Sequence, residues 1–184
     1  MGQKRIMKVE EAVDEYFQFK FEESKKDLQE LIDQMSESYG TKFRAETPEV
    51  MGLEFFLARL AIDCHKLWFL FSREIADEIF KLLFSKYLKV NDPTDKQTAD
   101  KLFGYMDIID EMQKTKSEVL KRRLLEQFAE TFLKRALGQN IENFYVTGFS
   151  RKDIVSPLIL AHCSSILVRY KISWAAIKDK ATIE

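Results

Sequence analysis

The sequence predicts an all-α protein, a single-domain multi-helix bundle of roughly six to eight helices over residues 1–184. Three observations carry that expectation. Helix breakers are scarce, with 6 Gly and 3 Pro in 184 residues. Apolar side chains recur at spacings of three and four along most of the chain, the signature of amphipathic helices. Large aromatics are abundant, 15 of them Phe, which suits a bulky core between long helices. At 46% hydrophobic and 32% charged residues the chain is globular in composition, not disordered. A domain of this length buries roughly two-thirds of its unfolded surface, so it needs no disulfide or metal to fold.

The elements follow in order. Val9, Ala12, Val13, Tyr16 and Phe17 start a helix at about Lys8. Phe17, Phe19 and Phe21 then alternate, so the helix either continues and exposes a Phe or breaks locally. Ser24 with Asp27 resembles a capping box and allows a second start, ending at Gly40. Thr47-Pro48 opens the next helix, because Pro at the first helical position loses only an N–H that has no partner there. One helix from there to Lys89 would span on the order of 60 Å, too long for this domain, so a break near Ser72 or Arg73 is expected. Thr94 with Gln97 and Thr115 with Glu118 mark two further starts, and Gly138 a stop. Ser150 or Ser156-Pro157 begins the last helix, which runs past Trp174.

Charge excludes some functions. With 29 basic and 30 acidic residues the net charge is -1, which gives no bulk attraction to nucleic acid or an anionic membrane. The densest basic stretch, Lys121 to Arg123, lies among Glu118, Glu126 and Glu130 and reads as a solvated helix face. "MGQKRIMKVEEAV" has no apolar run after its basic residues, so no secretory signal is expected. The most apolar stretch, Ile154 to Val168, contains Ser156, Pro157 and His162 and suits a buried helix better than a membrane span. With only two Cys, the chain is assigned to the reducing cytoplasm.

Those two Cys each adjoin one of the two His, as Cys64-His65 and His162-Cys163. Neighbours on a helix diverge by about 100°, so neither dipeptide can aim both side chains at one metal. Cys64 falls inside the apolar arc of Leu57, Leu60, Leu67 and Phe71, and Cys163 inside that of Ile159, Ile166 and Leu167. Both thiols are therefore expected in the core, with a His at the edge of each arc. Parallel packing of the two helices would put His65 and His162 on one flank. Glu54, Arg59, Asp63 and Lys66 are assigned to the polar half of their helix.

"ETPE" (Glu46, Glu49) and "EIAD" (Glu74, Asp77) place paired carboxylates at helical spacing, a pattern that can hold Mg²⁺ between two helices. They resemble the ExxE…ExxD pattern of all-alpha nucleoside triphosphate pyrophosphohydrolases, and "EIADEIFKLL" looks like the second metal-binding helix of that family. The resemblance implies Mg²⁺-dependent hydrolysis with Glu49, Glu74 and Asp77 as ligands, and covers about ten residues. Glu46 departs from it, since it precedes the helix start. "MDIIDEM" (Asp107, Asp110, Glu111) is similar to the aspartate cluster of isoprenoid synthases and also reads as a solvated face. No catalytic set stands out, and no Gly-rich phosphate loop is present. The expected role is therefore non-catalytic: protein–protein interaction or assembly, as a homodimer, with no nucleic acid, membrane or cofactor involved. Phe55 and Phe69 fall on the otherwise polar side of their helix and are the candidates for an interface. The aromatic surplus also allows an apolar-ligand binder, which would need a pocket above about 300 Å³.

Overall fold

The computed structural model describes residues 4–40, 48–90, 95–146, 154–168 and 174–184. Among them are seven α-helices: α1 (Val9–Tyr39), α2 (Pro48–Leu70), α3 (Arg73–Val90), α4 (Asp95–Lys114), α5 (Glu118–Leu137), α6 (Pro157–Val168) and α7 (Trp174–Lys180). A 3-10 helix over Gly138–Phe144 follows α5. The described residues also form four short strands: β1 (Arg5–Met7), β2 (Tyr145–Val146), β3 (Ile154–Val155) and β4 (Ala181–Ile183). The parallel pair β1·β4 and the antiparallel pair β2·β3 make two small sheets on an otherwise all-α bundle.

Local chemistry explains the boundaries. α1 ends where Gly40 adopts φ 56° and donates its N–H to the Ser36 carbonyl. α5 ends the same way at Gly138, with φ 53° and an N–H to Lys134. These positive φ values suit a residue without Cβ. The break between α2 and α3 falls at 71–72, beside the expected Ser72 or Arg73, and the Ser72 carbonyl accepts the Ala76 N–H. Ser117 caps α5 by accepting from the Leu120 N–H, while Thr115 turns back to the Ser117 N–H. The cap therefore falls two residues later than the Thr115–Glu118 spacing implies, and with Leu120 at its third position it is a single serine cap, not a capping box.

One open alternative is decided and one expectation is corrected. α1 runs unbroken for 31 residues through the alternating Phe residues and past Ser24, leaving Phe19 and Phe21 about half exposed. The final helical stretch is two helices, α6 and α7. Glu46, Thr47, Thr94, Ser150 and Tyr170 lie outside the described residues.

α2 is the hub, packing on α1, α3, α4, α5, α6 and α7. Pairings fix the helix directions. Tyr16 meets Asp63, Asp27 meets Arg59 and Leu28 lies nearest Gly52, so α1 and α2 are antiparallel. Glu54 meets Lys101 and His65 meets Asp110, so α4 is parallel to α2. Tyr105 packs on Phe128 while Arg135 reaches the Lys101 carbonyl, so α5 returns antiparallel to α4. The core is dense in rings. Tyr16 stacks on Trp174 at 4.2 Å, and Phe55 meets Phe132 edge-on at 5.8 Å.

Candidate functional site

Lys20, Glu54, Arg59 and Asp63 are all fully or almost fully buried. The helical wheel of α2 put the last three on a polar, solvent-facing half. That half is covered because α2 is surrounded, and each charge is met by an opposite one. Lys20 Nζ lies 2.9 Å from Asp63 Oδ2, which also accepts a 2.7 Å hydrogen bond from Tyr16 Oη. Arg59 donates to Asp27 Oδ2 at 2.7 Å and to Glu23 Oε2 at 3.3 Å, and Glu23 also meets Lys20 at 3.3 Å. Burial, then the Asp63 charge, pushes the Tyr16 phenol well above its ordinary range. On the other side of α2, Glu54 pairs with Lys101 and accepts from Tyr105 Oη at 3.2 Å, while Arg135 lies over the Tyr105 ring at 4.6 Å. Burial followed by the Glu54 charge raises Tyr105 in the same way. The two clusters key α2 to α1 and to α4.

The four Cys and His residues divide as their helical angles require. Both thiols are free and buried, and burial pushes Cys163 up to about 12 and Cys64 higher still. His65 Nε2 faces Asp110 Oδ1 on α4 at 3.3 Å, and its ring lies 5.7 Å from Phe69. Asp110 is held below the usual carboxylate range, first by Lys114 and then by His65. His162 Nε2 is buried without a hydrogen-bond partner among the described residues. No hydrogen bond or ring contact joins the two imidazoles among the described residues, and no group of three or more His, Cys, Asp or Glu there could hold a metal ion. His65 and Phe69 border a hollow of about 310 Å³ with Lys66 and Gln113, where burial lowers the Lys66 ammonium.

The carboxylates Glu49, Glu74 and Asp77 do not converge. Glu49 lies in the first turn of α2 and Glu74 in the first turn of α3, beyond the far end of α2. Glu49 and Leu70 are separated by about 30 Å of helix at 1.5 Å per residue. All three carboxylates are exposed, and Asp77 accepts from Trp68 Nε1 at 2.8 Å. The periodicity of the pattern is real, but α2 and α3 meet at the opposite end from Glu49.

The aromatic candidates also separate. Phe55 is fully buried against Phe132, because the side of α2 that carries it faces α5. Phe69 is 76% exposed. Beside it runs a strip that the sequence reading missed: Trp68 on α2, Phe80 and Phe84 on α3, and Phe103 on α4. Successive ring centroids are 5.4 Å (Trp68–Phe80), 6.0 Å (Phe80–Phe84) and 5.8 Å (Phe84–Phe103). Trp68 is 40% and Phe103 44% exposed. Phe103 was the available signal, since it lies among acidic residues on the polar face of α4. Along its rim, Arg73 lies 3.8 Å from Asp77. No helix among the described residues is long and apolar enough to cross a membrane. Comparison with protein-family models, curated proteins and solved structures finds no match.

Proposed function

We propose that this protein acts by association, without catalysis, as a helical-bundle assembly protein whose partner is a second copy of itself. The observation that carries the reading is the strip Trp68–Phe80–Phe84–Phe103. It gathers aromatics from three helices into one partly exposed surface, and such contiguous apolar patches mark interaction sites. A second copy suits it on charge. The rim carries both signs in Arg73 and Asp77, and the net charge of -1 leaves two copies little mutual repulsion. The separation of the carboxylates supports a role without catalysis, and the two free, buried thiols support placing that role in the cytoplasm.

Sedimentation velocity on the full chain tests this. The wild type is expected to sediment as a dimer at micromolar concentration, and Phe103→Asp to weaken the dimer by about thirtyfold or more. Phe19→Ser, at an exposed phenylalanine of α1 that has no ring contact with the strip among the described residues, should leave it unchanged. A wild type that stays monomeric, or a Phe103→Asp variant that dimerises as well as the wild type, overturns the proposal.

A further inference from the structure

Phe69 lies in the last turn of α2 and is 76% exposed, more than any other Phe or Trp among the described residues. A lone exposed aromatic needs no explanation, but this one stands on the rim of a hollow, a knob beside a hole. The hollow, of about 310 Å³, is otherwise lined by His65, Lys66 and Leu70 on α2, Gln113 on α4 and Ala175 on α7. Its walls are tied together. His65 faces Asp110 on α4 at 3.3 Å, and Lys178 on α7 donates to the Leu70 carbonyl and lies 5.6 Å from the centre of the Phe71 ring.

The hollow suits a phenyl ring. A cavity of about 150 Å³ is enough to admit benzene, so this one has the room. Leu70 and Ala175 supply apolar wall, the His65 imidazole supplies a ring to pack on, and Lys66 supplies an ammonium, which the face of a ring attracts. No Asp or Glu is among the lining residues, so no negative charge opposes that face. Asp110, on the α4 side of His65, is matched by Lys114.

We propose that the dimer closes by reciprocal insertion: the Phe69 ring of each copy enters the hollow of the other, against Leu70 and Ala175 and beside Lys66. This rests on the reading of the aromatic strip as a self-association surface, and Trp68, where the strip meets α2, is the residue next to Phe69. In a twofold dimer a contact from one residue to another is always repeated in the opposite sense. A knob on the rim of its own hollow meets that condition when the axis passes between the two Phe69 side chains. A second copy supplies both halves at once, a ring for the hollow and a hollow for the ring. A small aromatic ligand would fill the hollow and leave Phe69 in water.

Sedimentation equilibrium on the full chain tests the insertion with two variants at exposed positions. Phe69→Ala removes the ring and keeps the other walls of the hollow. Ala175→Glu keeps the ring and sets a carboxylate where the partner's ring would enter. Each alone is expected to weaken the dimer by about thirtyfold or more. Mixed one to one, they should dimerise at least about fivefold more tightly than either alone, because the mixed pair retains one ring in one open hollow. If either variant dimerises as tightly as the wild type while Phe103→Asp does not, the insertion is overturned and the strip reading stands. A mixture no tighter than its components also overturns the insertion, since Phe69 then meets some other surface. A monomeric wild type overturns both.

Discussion

Lys20 sits in the middle of a long helix with its ammonium fully buried, held by Asp63 and Glu23. Burying such a group costs far more than leaving it in water unless its charge is matched, so the arrangement acts less as a source of stability than as a constraint on partners. Sliding α1 by one turn along α2 would part Lys20 from Asp63 and Arg59 from Asp27. Removing one member should expose that dependence. Asp63→Leu is expected to cost about 3–5 kcal/mol in urea denaturation, because it removes the nearer carboxylate from Lys20 and the acceptor of the Tyr16 hydroxyl. The double variant Lys20→Met/Asp63→Leu should lose less than the single one, and a double variant as unstable as the sum of both singles would contradict this account. Hydropathy could not reveal these residues, since a charged side chain reads as exposed wherever it stands. A subtler signal was present. Phe55 and Phe56, neighbours about 100° apart on α2 and both buried, show apolar packing on more than one side at the level of Glu54 and Arg59.

At the level of elements, the ends of helices were legible and their contacts were not. Gly40, Gly138 and the break at 71–72 stand where backbone chemistry requires a stop, and that chemistry is local. Gly40 offers a clean measure of it. Its φ is 56° and no atom of the described residues lies within 4 Å of where a Cβ would stand, so the cost of Gly40→Ala is read as backbone strain. That substitution should cost about 1–3 kcal/mol by thermal or chemical denaturation. A neutral result would mean that the α1 terminus relaxes into another conformation. The separation of Glu49 from Glu74 shows the opposite limit. Spacing places carboxylates on a helix face, but which ends of two helices meet depends on contacts far apart in the chain. For the same reason the three-residue strands β1 and β4 were invisible: nothing in "RIM" or "ATI" announces a partner at the other end of the sequence.

For the whole molecule, the all-α architecture was readable from composition and periodicity, because few breakers and many apolar repeats leave helices as the main way to satisfy the backbone. Its behaviour at high pH follows from what that architecture buries. Cys64, Cys163, Tyr16 and Tyr105 all hold their protons more tightly in the fold, with Cys163 pushed up to about 12 from an ordinary 9.0. The unfolded chain releases those protons first, so their contribution is intact below the ordinary thiol value and is lost as pH rises toward the native values. The melting temperature should hold steady to about pH 9 and then fall with each further step in pH. A midpoint unchanged to about pH 11 would show that these groups titrate alike in both states. The parallel pairing of Arg5–Met7 with Ala181–Ile183 has a mechanical side as well. Tension applied at Lys4 and Glu184 draws β1 back by its first residue and β4 forward by its last, so the two strands are loaded in shear. Their hydrogen bonds then share the force together and do not open one at a time, and the seam must give way before tension reaches the helices it encloses.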